Sequence, residues 1–168
     1  RRREGQPLLQ GIELGPGLPG RMLPVRLLAG RLRSYHYEGG GQRWDADRYF
    51  EGGTDVLRTN RLAGAENPNL FGGERYGSFR YVVPVVDGEF RLRMLFAETW
   101  FGESNPGRGG AGSRQFDVRC NGVPLIESFD PLAAAGGENR AVALEFAGLR
   151  PNPRGKLDVE FVPRRNYA

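Results

Sequence analysis

Cysteine is almost missing from this chain of 168 residues. Cys120 stands alone, which excludes an internal disulfide and any zinc site built on cysteines. It falls in phase with Phe116 and Val118 on an apolar strand face, so its thiol is expected to be buried and inert. Histidine is as scarce: His36, in Tyr35-His36-Tyr37, is the single one, and with no Gly-x-Ser-x-Gly element there is no basis for a nucleophilic triad. Lysine is reduced to Lys156, every other member of the 24 basic residues being arginine. The net charge of +4 does not point to nucleic acid. The arginines sit singly on strand faces (Arg80, Arg91, Arg93, Arg119), and runs occur only at Arg1-Arg2-Arg3 and Arg164-Arg165 near the ends. No apolar run approaches the roughly 20 residues needed to cross a bilayer, and no signal-peptide pattern is present, so this segment is not expected to insert into a membrane. The first residue is Arg1 rather than methionine, and the chain is expected to be part of a larger protein, an exported or membrane-anchored ectodomain.

Long amphipathic helices are missing as well. The best candidate, residues 132–135, is short and meets Gly136-Gly137. What is present is a succession of short apolar alternations separated by turn residues, with a composition, 39% hydrophobic and 26% charged, that suits one soluble domain. Residues 1–22 carry Pro7, Pro16 and Pro19 among glycines and read as a Pro/Gly-rich linker. The domain is expected over 23–168, opening with a strand in Leu23-Pro24-Val25-Arg26-Leu27-Leu28-Ala29. Phe79, Tyr81, Val83 and Val85 alternate with polar or smaller neighbours, and Asp87-Gly88 then predicts a hairpin that pairs this strand antiparallel with the one carrying Phe90, Leu92, Met94 and Phe96. A second hairpin is predicted at Asn121-Gly122, between the strand of Phe116 and Val118 and a return over 123–126. Val142, Leu144 and Phe146, then Leu157, Val159 and Phe161, mark two more strands. The expected class is all-β, a sandwich of antiparallel sheets. Phe90, Leu92, Met94 and Phe96 should share one core with Phe116, Val118, Val142, Leu144, Leu157, Val159 and Phe161.

The strand of Phe96 runs into Glu98-Thr99-Trp100-Phe101 and a glycine-rich stretch over 102–113. Two consecutive aromatics in extended backbone cannot both enter the core, so at least one ring of Trp100 and Phe101 is expected to be available to a ligand. Further aromatics, among them Trp44, Tyr49, Phe50, Phe71 and Tyr76, collect at turn-rich places beside Asp, Asn, Glu and Arg. Aromatic planes with a few placed polar groups suit sugar rings, whose C–H faces stack while their hydroxyls hydrogen-bond. For glycoside hydrolysis Glu74, Glu98, Asp117 and Asp130 are the carboxylates to consider, with ion pairing or backbone hydrogen bonding the simpler account. Asp45 and Asp47 have an Asp-x-Asp spacing, but the remaining calcium ligands of an EF-hand are missing. Neither a metal nor a cofactor is expected, and the chain reads as a binding domain without catalysis.

Five motifs in order, Trp44-Asp45-Ala46-Asp47-Arg48-Tyr49-Phe50-Glu51-Gly52-Gly53, Phe71-Gly72-Gly73-Glu74-Arg75-Tyr76-Gly77, Tyr81-Val82-Val83-Pro84-Val85, Phe96-Ala97-Glu98-Thr99-Trp100-Phe101 and Gln115-Phe116-Asp117-Val118-Arg119-Cys120-Asn121-Gly122, resemble malectin and the bacterial malectin-like carbohydrate-binding modules. That resemblance implies a jelly-roll-like β-sandwich whose end loops hold a glucose-containing oligosaccharide, an α-glucan or diglucose. It places Tyr76, Trp100 and Phe101 in the ligand platform and Asn166 as a polar contact. It also implies an alternative, a sensor or receptor ectodomain docking a protein or peptide on the same fold. Two departures bear on the sugar preference: a further tyrosine of the family's site corresponds to a position near Thr54, and its acidic ligand corresponds to Asn166. The family pattern continues past Asn166-Tyr167-Ala168 into another apolar strand, so either a C-terminal strand is missing from this chain or its edge is completed by something else.

Overall fold

The computed structural model describes residues 6–16, 24–37 and 41–164. The strands run in the order β1 (Leu8–Leu9), β2 (Gly11–Pro16), β3 (Val25–Leu28), β4 (Tyr35–Tyr37), β5 (Gln42–Trp44), β6 (Phe50–Leu57), β7 (Gly73–Pro84), β8 (Phe90–Ala97), β9 (Phe116–Cys120), β10 (Val123–Phe129), β11 (Ala141–Leu149) and β12 (Lys156–Pro163). A 3-10 turn at Pro68–Phe71 and a one-turn helix α1 at Pro131–Ala135 are the helical pieces among them. One sheet has the order β1-β7-β12-β9-β10, with β6 added along β7, and a second has the order β11-β8-β2-β3. All pairings between these strands are antiparallel. The protein is therefore the all-β sandwich that the alternations predicted.

The core forms where the inward faces of the two sheets meet. Phe90, Leu92, Met94 and Phe96 pack with Phe116, Val118, Leu157, Val159 and Phe161, all buried, while Val142 and Leu144 close the cluster from its margin. Aromatic rings fill the space between the two sheets. Phe96 of β8 lies 4.9 Å from Phe129 and 6.0 Å from Phe116 of the facing sheet between ring centroids, while within that facing sheet Phe79 stacks on its cross-strand neighbour Phe161 at 4.5 Å. Cys120 belongs to the same cluster, 5% exposed.

The described part of the expected linker, residues 6–16, belongs to the sandwich. Leu8, Leu9, Ile12 and Leu14 are essentially inaccessible, and β2 runs between β8 and β3 in the middle of its sheet. Of the glycines that suggested a linker, Gly11 serves packing. A Cβ on Gly11 would stand 3.1 Å from Leu95 and 3.2 Å from the Trp44 ring, so the bare backbone there lets an indole lie against the sheet. The expected domain start at Leu23 lies outside the described residues, and β3 falls within the strand expected there.

The Asp87-Gly88 turn also differs from expectation. It joins two sheets rather than two paired strands: β7 pairs with β1, β12 and β6, whereas β8 pairs with β2 and β11. Both strands present an apolar face to the same core. A turn that carries the chain over the end of the sandwich buries both faces, while β2 and β11 occupy the two edges of β8. Asn121-Gly122 is the hairpin it looked like, with φ of 49° and 80° and Val123 opposite Cys120, the left-handed pair that a two-residue turn requires.

Candidate functional site

Glu98 follows β8 directly and decides how the next residues turn. Its Oε1 accepts hydrogen bonds from the backbone N–H groups of Trp100 at 2.9 Å and Phe101 at 3.0 Å, while the Arg114 guanidinium donates to both of its oxygens. Glu98 is fully buried and Arg114 is 2% exposed. Arg114 Nη1 also donates to the carbonyl of Gln6, which ties the first described residue to the site. Because the turn begins at Glu98, the two aromatics diverge. Trp100 is half-buried, and Phe101 is 6% exposed with Arg114 5.2 Å from its ring centroid. Of the expected pair, only the Trp100 ring therefore reaches the surface to a useful extent.

The strand β7 supplies the second part. Glu74, fully buried, accepts from Arg58 Nε and Nη2 at 3.0 and 2.9 Å and from the Thr99 hydroxyl at 2.8 Å. Arg58 in turn stands 5.9 Å from the Trp100 ring centroid, within cation–π reach. Tyr76 lies two residues beyond Glu74 on the same strand face, half-buried against the core. The Glu-Arg-Tyr and Phe-Ala-Glu-Thr-Trp-Phe motifs thus meet through the Glu74–Thr99 bond. Asn166 lies outside the described residues.

Arg75, between Glu74 and Tyr76, faces the other way. It pairs with Asp47 at 2.9 Å, donates to the Gly52 carbonyl and lies 3.5 Å from the Phe50 ring centroid. Asp47 also accepts from the Tyr81 hydroxyl at 2.7 Å and the Gly30 N–H at 2.7 Å. Burial, with the negative charge of Asp47 and the hydrogen bond to it, raises the Tyr81 phenol well above its ordinary pKa. Asp45 is held by Arg43 and Arg48. The two aspartates therefore have separate partners, and among the described residues no cluster of three or more His, Cys, Asp or Glu side chains could hold a metal.

A third layer of the site is an amide cluster that sequence reasoning missed. Asn60 Nδ2 donates to Asn139 Oδ1 at 2.7 Å, Asn139 Nδ2 to Asn105 Oδ1 at 2.9 Å, and Asn105 Nδ2 to the Phe101 carbonyl at 3.1 Å. These bonds pin the glycine-rich stretch after Phe101 at its base. Gly107 then donates its N–H to the Trp100 carbonyl at 2.8 Å, and a Cβ on Gly107 would collide with the Trp100 indole nitrogen. The loop thus lies along one edge of that ring, and glycine is needed for the approach. Arg58, Arg114 and the three asparagines lie far apart in sequence, and no local pattern marks them.

The carboxylates considered for hydrolysis all have structural partners. Besides Glu74 and Glu98, Asp117 accepts from Arg164 at 2.7 Å and from the Ser128 N–H at 2.8 Å. Asp130 caps α1 through the N–H groups of Leu132 and Ala133. The side chain of His36 lies outside the described residues.

The family model described as the Malectin domain matches residues 32–150. Kinesin-like protein KIN-14E of Oryza sativa subsp. japonica is 28% identical over 133 aligned residues, covering 64% of this chain and 12% of that protein. The fold is similar to a Bacteroides uniformis β-glucuronidase with a TM-score of 0.64 and 14% identity, across 94% of this chain and 25% of the enzyme's. It is also similar to the ANX1 ectodomain of Arabidopsis thaliana, TM-score 0.59 and 19% identity, across 86% and 37% of the two chains. This chain thus spans a small part of each of these proteins, and at such identities the solved structures establish likeness of fold alone. With the family's motifs assembled around Glu74, Glu98 and Trp100 in a two-sheet sandwich, the chain belongs to the malectin domain family.

Proposed function

We propose that this domain is a non-catalytic carbohydrate-binding module for glucose-containing oligosaccharides, an α-glucan or diglucose, and that its platform is formed by Trp100 and Tyr76 at the end of the sandwich. Phe101 supports the platform from beneath, and Asn166 is assigned as a polar contact. The observation that carries the reading is the Trp100 ring, half-exposed and held in place by Glu98 at its backbone, Gly107 along its edge and Arg58 nearby. A ring held this way costs little further ordering when it stacks on a sugar. The absence of catalysis is inferred from Glu74 and Glu98, both buried against arginines where neither can exchange protons with a glycosidic oxygen. Calorimetry with maltose, nigerose and longer glucans tests the reading. Trp100→Ala should weaken binding tenfold or more, a loss of about 1.4 kcal/mol, while lowering the unfolding midpoint by only a few degrees. Absence of saccharide binding at millimolar concentration would refute it.

A second reading, a docking module for a protein or peptide within a larger ectodomain, draws on a different surface. Tyr49 and Phe50 are 37% and 40% exposed at the start of β6, whose residues are exposed almost throughout. Pull-down of a partner that survives Trp100→Ala but is lost on Phe50→Ser would favour docking over sugar binding.

A further inference from the structure

The outer face of the four-stranded sheet carries a second concavity, of about 380 Å³, bounded by Trp44, the segment around Asn67 and Phe71, and the strand residues Arg93, Leu95 and Ala143. This size is at the low end for small-molecule sites, which run from about 300 to 1,000 Å³. Its base is apolar, because Leu28, Trp44, Phe71, Leu95 and Ala97 form a core cluster of their own on this side of the sheet. It does not include Trp100, Tyr76 or Phe101.

Two donors lining this cleft, Trp44 Nε1 and Asn67 Nδ2, have no acceptor, and a third, Arg93 Nε, has only the long ion-pair approach of Glu145 Oε1 at 3.6 Å. Trp44 is 1% exposed and Asn67 is 7% exposed, and all three nitrogens are buried. For Asn67 the cause is visible: its Oδ1 accepts from the Asn69 N–H to cap the 3-10 turn, which turns the amide nitrogen to the other side. Buried donors are rarely left unpaired, since each forgoes the bonds it had with water. Two along one cleft, beside an arginine held by a long ion pair, call for a guest rich in acceptors. The guest need not be charged. Glu145 approaches Arg93 at 3.6 Å, and Glu66 adds a second carboxylate to the lining, so the local charge offers no excess of positive sign to an anion.

We infer that this outer cleft is a second carbohydrate site, taking one neutral pyranose unit whose oxygens accept from Trp44 Nε1 and Asn67 Nδ2, with the Arg93–Glu145 pair at its margin. Hydroxyls fit because each both accepts and donates, which gives Glu66 a partner too. The inference goes beyond the end-loop platform and does not depend on it.

The chain's two tryptophans separate the sites. In 15N-labelled protein each indole N–H gives its own signal, assigned with Trp100→Phe, and the probes are methyl α-glucoside, maltose and nigerose, with sodium glucuronate as the charged comparison. The expected result is a saturable shift of the Trp44 signal with at least one neutral sugar. Arg93→Met, which removes the guanidinium and its pair with Glu145 from the lining, and Ala143→Phe, which narrows the mouth from an exposed strand position, should each weaken that titration about tenfold, leaving the response of Trp100 as it was. Two variants at different strands guard against one failing to fold. A Trp44 signal that ignores all three neutral sugars, that responds to glucuronate alone, or that titrates unchanged in both folded variants overturns the inference, whatever Trp100 does.

Discussion

Replacing Glu98 by glutamine removes one charge and almost no volume, so it asks directly what the buried pair with Arg114 does. The amide oxygen can still accept from the Trp100 and Phe101 N–H groups, which now share a neutral acceptor. Arg114, 2% exposed, is left as a buried cation whose remaining side-chain partners are the Gln6 carbonyl and the face of Phe101. Breaking a buried ion pair in this way costs about 3–5 kcal/mol. For a domain of this size 1 kcal/mol moves the midpoint by about 2–4 °C, so Glu98→Gln should melt roughly 6–20 °C below the parent. Adding Arg114→Met removes the stranded charge and should recover much of the loss, falling short by about 1 kcal/mol for the bond to Gln6. Thermal denaturation followed by circular dichroism measures all three proteins. A single variant that melts within 2 °C of the parent, or a double variant less stable than the single one, would show that the pair is not what holds this turn.

Removing residues 1–22 should abolish folding rather than trim a linker. Leu8, Leu9, Ile12 and Leu14 each contribute about 1.5–3 kcal/mol by burial, together comparable to the whole stability of a domain, about 5–15 kcal/mol; a truncated protein with a cooperative unfolding transition would refute this. Cys120 should resist thiol reagents in the native state, because burial first and the charge of Asp158 second push its thiol up to about 11 from 9.0. With the folded value raised, its contribution to stability is complete below pH 9 and is lost as pH rises from 9 toward 11. Rapid labelling at pH 8, or stability unchanged across that interval, would contradict the assignment.

Much of the fold was legible because alternation is a local property. Phe90 to Phe96, Phe116 to Cys120, and Leu157 to Phe161 each place every second residue on one face, and any sandwich built from them buries that face. The Asn121-Gly122 hairpin was legible for the same reason, since two left-handed residues suffice to close it. Pairing is not local. Asp87-Gly88 is compatible with a hairpin or with a passage between sheets, and the choice fell to distant segments, 11–16 and 141–149, which take the two edges of β8. Gly11 looked like linker chemistry until Trp44 was found lying over it. In the same way, Trp100-Phe101 announced that two neighbouring rings must part, but which one turned inward depended on Glu98 capturing both N–H groups while held by Arg114, and on Asn60, Asn105 and Asn139 converging from three separate loops. The strand faces and the presence of an aromatic turn follow from local residue patterns. Tertiary structure decided which strands pair, which ring is covered and where buried donors go unpaired, because those outcomes depend on contacts between residues that sequence separation keeps independent until the chain is folded.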